Sequence, residues 1–462
     1  MNELRINPAN PFNPINPGSD NPTNHINPLN PGSDIFHTFI EMFTRLIMLL
    51  ITCCCISCSS LNKMSAPLNA SQTNILDSLL KTSQALQSVL LNKDSFKLQV
   101  IYTKIDRDKN NKPHFTDYTF NENAGKYFYP ASTVKLPASL LALEKLNVMK
   151  MEEINMYTTM ITDSNYNRQE IVLNSSKSKD GRPTIAEYIK EIFLVSDNDA
   201  FNRLYEFLGQ EYFNSGLHKK GYKTADIRHR LNAFLTEDEN RHTNAVSFYD
   251  TAGKLLYHQP LQFNKKAFTK RDNKAGKGFY RDSVLINEPF DFSAKNKISL
   301  YDLHNLLRAV IFPEFVPRKQ RFKLTGEDYN FLYKYMSARP RESKYPFYDS
   351  TEYSDAYGKF LLFGAEKGTM PENIRIFNKI GDAYGFLNDV AYIVDFKNNI
   401  ECMLSATMLC NTDGIFNDDK YDYDSIGFPF MKNLGLLIYN YEKLRQRKYV
   451  PDLSKFKIDY KE

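Results

Sequence analysis

Ser132 and Lys135 stand one helical turn apart in Tyr127-Phe-Tyr-Pro-Ala-Ser-Thr-Val-Lys-Leu-Pro137. A serine hydroxyl becomes a nucleophile when a neighbour takes its proton, and a lysine withdrawn from water gives up its charge readily enough to do so. Aromatic and proline residues lead up to Ser132, and Val134, Leu136, Leu140, Leu141, Leu143 and Leu146 follow it, which predicts a helix starting at or near Ser132. At this spacing the two side chains share a face. The unpaired N–H groups of the helix start favour negative charge developing beside Ser132, whose own N–H can hold an oxyanion. The spacing alone selects nothing, because Ser60/Lys63, Ser78/Lys81, Ser176/Lys179 and Ser454/Lys457 repeat it.

Two later motifs separate Ser132 from these copies. Ser196-Asp197-Asn198 lies between apolar Ile192-Phe-Leu-Val195 and a helical stretch to Leu208, and Lys379-Ile380-Gly381 stands at the head of a strand-like segment. With S-x-x-K, S-D-N and K-x-G in this order, the chain resembles the penicillin-recognising serine hydrolases, most closely the class A β-lactamase-like branch. The resemblance implies an α/β (α+β) fold, with an antiparallel sheet flanked by helices and an inserted all-helical subdomain. It also implies roles: Ser132 attacks a carbonyl, Lys135 is its base, and Ser196 relays a proton to the departing nitrogen. Asn198 binds a substrate amide and orients Lys135, while Lys379 adds positive charge near a substrate carboxylate. Gly381 completes the third motif, and the backbone N–H of Asp382 is the second oxyanion donor. Asp197 braces its own turn, since Ser, Asp and Asn are also common helix caps. The scheme needs no metal or cofactor. The expected function is hydrolysis of β-lactam or related amide bonds through a Ser132 acyl-enzyme. A D-Ala-D-Ala peptidase-like enzyme and a non-catalytic lipoprotein of the same fold are the alternatives.

Two departures bear on the substrate. Ile380 replaces the family's usual Thr or Ser, removing a hydroxyl expected to bind a substrate carboxylate. The family's Glu-x-x-Leu-Asn loop pattern is missing after Asn198; Glu237 and Glu239 do not fit it, and Glu170-Ile-Val-Leu-Asn174 comes too early. Without a carboxylate to activate water an acyl-enzyme persists, which suits a peptidase-like enzyme better than a fast β-lactamase. Lys274-Ala275-Gly276 is a rival third motif in a basic loop with no apolar strand after it.

These residues need a scaffold, and the chain offers one over 70–445. Helical patterning covers 74–91 and strands are predicted at Phe96–Ile105 and Phe115–Phe120. Residues 150–230 read as mostly helical, strands follow at Asp389–Phe396 and Ile400–Leu409, and a last helix covers 426–444. An insertion at about 232–298 contains a hairpin, Ala245–Tyr249 with Lys254–Tyr257, and the basic residues Lys265, Lys266, Lys270, Arg271, Lys274, Lys277 and Arg281. It reads as a solvated structural insertion, with a lid or an anionic-polymer contact as the other reading. Cys402 and Cys410 read as core residues of one strand, and 446–462 as a tail.

Residues 1–41 are Asn-Pro-rich, repeat Asn-Pro-x-Asn-Pro-Gly-Ser-Asp, and lack the apolar content for a core. From Met42, Arg45 precedes the apolar run Leu46–Ile51 and then Cys53, Cys54, Cys55 and Cys58, the pattern of a bacterial lipoprotein signal over 42–58 with a polar linker at 59–69. Translation is expected to begin at Met42 and Cys58 to carry the lipid, with Cys53, Cys54 and Cys55 as rival sites, anchoring the protein to a membrane in the cell envelope, facing the periplasm or cell surface. A net charge of +5 over 462 residues gives no case for nucleic acid, and the expected partner is a β-lactam or peptidoglycan-like substrate.

Overall fold

A computed structural model describes residues 74–461. The Asn-Pro-rich repeat, the lipoprotein signal with Cys58 and the 59–69 linker lie outside them. The described chain opens on α1 (Ile75–Thr82) and α2 (Gln87–Leu91) where the sequence predicts one helix. The break falls at Ser83, which is extended, and Gln87 Nε2 donates to the carbonyls of Leu80 and Ser83 at 3.1 Å each, closing the end of α1. Next come β1 (Gln99–Arg107) and β2 (Pro113–Phe120), the predicted hairpin, then α3 (Lys135–Met149). The middle of the chain forms β3 (Thr159–Thr162), α4 (Ile185–Val195), α5 (Asn198–Leu208) and α6 (Gln210–Lys220). After α7 (Glu237–Arg241), β4 (Val246–Tyr249) and β5 (Leu255–Gln259) the chain runs through α8 (Leu300–Ile311) and α9 (Gly326–Ser337). It returns to strands at β6 (Ile374–Ala383), β7 (Phe386–Asp395) and β8 (Ile400–Leu409), and closes on α10 (Phe428–Leu444).

The central sheet has the order β6-β7-β8-β1-β2, with every neighbouring pair antiparallel. Both faces are covered, so alternate residues serve two cores. On β1, Ile101 and Ile105 face the helical block while Val100 and Tyr102 face the terminal helices. Cys402 and Cys410 are free thiols in the second core, buried on the side of α10. Helix α3 is apolar nearly all round, and correspondingly it is buried through the middle of the molecule against α4, α5 and α6.

Two strand boundaries differ from expectation for one reason. Strand β6 begins at Ile374, so Lys379 sits inside a strand rather than at its head, and β7 begins at Phe386, three residues before Asp389. The polar residues that hide these starts are buried and paired across the chain: Arg375 with Glu342 at 2.8 Å, and Asn378 with Asp389 at 2.8 Å. The expected tail places Leu453 and Phe456 in the first core.

The insertion is only partly solvated. Its lysines are exposed, but Phe279, Phe290 and Phe292 pack with Phe416, Tyr384 and Phe386 from the sheet's hairpins. Its hairpin β4–β5 adds to β3 in a small sheet. Among the described residues no helix is long and apolar enough to cross a membrane.

Candidate active site

Phe128 and Tyr129 are buried, and Ala131 then adopts φ +45°, a conformation that costs a non-glycine residue energy and recurs at functional turns. A short 3-10 turn, Ala131–Val134, leads into α3, with the Thr133 hydroxyl donating to the Pro130 carbonyl at 2.7 Å. The turn leaves Ser132 half-buried, and among the described residues its Oγ makes no hydrogen bond.

Lys135, one turn on, is completely buried. Its ammonium donates to the Ser196 carbonyl, to Ser196 Oγ at 3.3 Å and to Asn198 Oδ1 at 2.8 Å. Burial drives its pKa down to about 7, against the opposing pull of Asp197 and Asp382. Ser196 is the left-handed residue that ends α4, and Asp197 caps α5 by accepting from Ala200 N–H at 2.8 Å. Capping and chemistry thus divide the tripeptide: Asp197 holds the joint, and Ser196 and Asn198 meet the lysines. A brace that the sequence reading missed stands behind it. Lys177 bonds Asp197 and Glu191 at 2.7 Å each. Burial raises Asp197, yet Lys177 overrides it and leaves the carboxyl below its ordinary pKa; for Glu191 burial wins and the pKa reaches about 7.

Lys379, buried on edge strand β6, donates to Ser196 Oγ at 2.8 Å and to the Ile380 carbonyl at 2.9 Å. Burial, then the neighbouring Lys135, pushes its pKa well below the usual lysine value. Two ammonium groups converging on one hydroxyl in a dry site repel, which favours loss of a proton from the pair. Lys274, the rival, is exposed on a short strand of the insertion.

Gly381 is where β6 touches the nucleophile turn. A Cβ there would stand 2.6 Å from the Pro130 carbonyl oxygen and 2.7 Å from Ser132 N, so only glycine allows this approach. The contact is fastened by buried Asn388, whose amide donates to the carbonyls of Gly381 at 2.9 Å and Tyr129 at 3.1 Å while accepting from Thr407 Oγ1 at 2.6 Å. Ile380 points to the other face of the strand and is buried in the second core, and Asp382 is exposed at the strand's end.

The carboxylates weighed at the sequence level are either paired or exposed. Glu170 is exposed, Glu237 pairs with Arg241 at 2.8 Å, and Glu239 caps α7 and binds Arg168. The Arg168 hydrogen bond holds Glu239 down at about pKa 2. The sequence reading passed over Arg228-His229-Arg230-Leu231-Asn232, which keeps the Leu-Asn end of the expected loop pattern with arginine in the glutamate's place. This loop does lie beside the site, since His229 stacks on Tyr129 with ring centres 6.2 Å apart. Arg228 is taken up by Asp226 at 2.8 Å and the Thr269 carbonyl at 2.7 Å. His229 uses both nitrogens, Nδ1 towards the Arg230 carbonyl and Nε2 accepting from Asn296 N–H, and burial with nearby Lys295 holds its pKa at about 3. Among the described residues no group of three or more His, Cys, Asp or Glu side chains is placed to hold a metal ion.

A family profile described as the beta-lactamase enzyme family matches residues 81–440. Among solved structures, the chain is similar to a beta-lactamase from Burkholderia phymatum at 13% identity and a TM-score of 0.44, over 80% of this chain and 100% of that one. A class A beta-lactamase from Clostridium kluyveri DSM 555 is similar at 15% identity and a TM-score of 0.42, over 78% and 98%. A beta-lactamase from Sphaerobacter thermophilus DSM 20745 follows at 11% identity and 0.44, over 79% and 97%. No curated protein matches the chain.

Proposed function

The chain belongs to the beta-lactamase enzyme family, and from that premise we propose that it is a serine hydrolase acting on β-lactam or related amide bonds through an acyl-enzyme on Ser132. Ser132 Oγ bonds to the carbonyl carbon as its proton passes to Lys135. The tetrahedral oxyanion rests on the N–H groups of Ser132 and Asp382, in a site where fixed dipoles replace water. The C–N bond then breaks as Ser196, bonded to both lysines, delivers a proton to the leaving nitrogen. Asn198 holds Lys135 and offers its amide N–H to the substrate; Lys379 draws an anionic substrate group, and Gly381 lets the strand approach. The observation that carries this reading is the convergence of Lys135 and Lys379 on Ser196 Oγ, with Lys135 one turn on from Ser132, whose own hydroxyl is unbonded among the described residues.

The pairing of Glu237 and Glu239, the exposure of Glu170 and Arg228 in the loop beside the site favour a second reading in which the acyl group persists or passes to an amine, as in a D-Ala-D-Ala peptidase-like enzyme. Purified protein mixed with a chromogenic cephalosporin, followed by colour and intact mass, separates the two. Sustained colour supports a β-lactamase, and one burst with a stable adduct on the Ser132 peptide supports the peptidase-like enzyme. Neither colour nor adduct sinks both, and leaves a non-catalytic lipoprotein.

We also propose that Cys58 carries a lipid that places the domain in the cell envelope. Its support is the basic, apolar and cysteine order of 42–58. Palmitate label should enter the protein and be lost in Cys58→Ser; label that survives the substitution refutes the assignment.

A further inference from the structure

Lys177 stands in a tight turn between β3 and α4, where Ser175 N–H donates to the Gly181 carbonyl at 2.9 Å and Lys177 N–H to Ser175 Oγ at 3.2 Å. Its ammonium bridges two carboxylates from different parts of the chain, Glu191 of α4 and Asp197 of the joint, at 2.7 Å each. Glu191 is buried and Asp197 half-buried. The Asp197 carboxylate is thereby committed on both oxygens, Oδ1 to the Ala200 N–H at 2.8 Å and Oδ2 to Lys177. The residues immediately before and after Asp197 hold the base, since Lys135 donates to the Ser196 carbonyl and to Asn198 Oδ1 at 2.8 Å. Two lysines thus meet one three-residue joint, Lys177 through the charged side chain in its middle and Lys135 through the groups on either side.

A bare carboxylate this close would keep Lys135 protonated, because an opposite charge in a dry site favours the charged form. We infer that Lys177 is a positioning residue of this site: by pairing with Asp197 it fixes the joint that presents Ser196 and Asn198, and it offsets the Asp197 charge that would otherwise hold the proton on Lys135. The inference rests on the Ser132 hydrolase reading and adds to it the counter-charge that lets its base work. Burial opposes a charge on Lys177, yet Glu191 and Asp197 hold its pKa above the ordinary lysine value, so it remains an ammonium where the site operates. The other charges facing Lys135 are Lys379 and Asp382 of β6. Tyr348 and Tyr357 lie in the field of Asp197, and burial keeps both neutral. Glu191 itself titrates at about 7, so the variants of Asp197 are needed to separate the two carboxylates.

The test follows the rate at which a chromogenic cephalosporin adds mass to Ser132 in the full chain between pH 6 and pH 9. In Lys177→Met the midpoint of the rise in rate should move up by about one pH unit, making acylation about tenfold slower at pH 6 and within about twofold of the parent at pH 9. Lys177→Arg keeps the charge and should keep the parent's midpoint. Asparagine caps a helix as well as aspartate does, so Asp197→Asn removes the charge and spares the joint. Its midpoint should move down, and adding Lys177→Met to it should no longer move the midpoint up. An unmoved midpoint in Lys177→Met or in Asp197→Asn, a loss by one factor at every pH, or an upward shift that survives in the Asp197→Asn background overturns the inference and leaves the hydrolase reading standing. If the parent forms no adduct on Ser132, the hydrolase reading itself fails and the inference falls with it.

Discussion

Replacing Ser132 with alanine should abolish the covalent adduct and lower any turnover by about 10³-fold or more, the loss expected when the nucleophile of a cooperating group is removed. The rest of the site predicts that this loss comes without unfolding. Ser132 Oγ bonds to no other described group, while the turn that carries it is held by Thr133, Asn388 and the close contact at Gly381. The thermal midpoint of Ser132→Ala should therefore stay close to that of the parent, with a stability change within about 0.5 kcal/mol. Undiminished hydrolysis in the variant would remove Ser132 from the reaction. A collapsed midpoint would instead show that the hydroxyl has a structural partner.

Lys135→Met should have opposite effects on activity and stability. Loss of a general base costs roughly 10²–10⁴-fold, and acylation by the parent should rise with pH through about 7, as Lys135 sheds its proton, and then level off. For stability, the folded-state pKa of about 7 lies below the ordinary lysine value of 10.5, so the unfolded chain holds this proton more tightly. Burying Lys135 thus destabilises the fold fully below pH 7, and the cost fades as pH climbs towards 10.5. Methionine fills similar space without the charge. After the lost hydrogen bonds to Ser196 and Asn198 are set against this, Lys135→Met should be more stable on the order of 2–4 kcal/mol at pH 6, with the gain shrinking by pH 10. Thermal melts across that range decide it: a gain that grows with pH would mean that Lys135 is charged and well paired in the fold.

The candidate site draws on positions 132, 135, 196, 198 and 379, and each was legible because its neighbours carry a local pattern. Ser132 precedes an apolar helix, Ser196 and Asn198 sit between two helical runs, and Lys379 leads towards the apolar run from Asp389 to Phe396. What could not be read was set by partners distant in the chain. Arg375, Asn378 and Asn388 look like loop residues, and they are buried in strands because Glu342, Lys359 and Tyr129 satisfy them. Lys359 and Asp389 are both pulled towards neutrality by burial, a cost that no window of sequence displays. The insertion was misjudged in the same way. Its lysines announced solvent, while Phe279, Phe290 and Phe292 had visible value only beside Tyr384 and Phe416. Tyr348, Tyr353 and Tyr357, which pack ring against ring, lie in a stretch without helical or strand period, where sequence gives no hint of that packing.

The single carboxamide of Asn388 joins the chain just before Ser132, strand β6 beside it and the neighbouring strand at Thr407. The width of the gap between Ser132 and β6 is consequently inherited from folding and not set anew at each encounter. A substrate enters a slot whose ordering entropy has already been lost, so its binding energy is left to bend the scissile bond rather than to assemble the machinery around it.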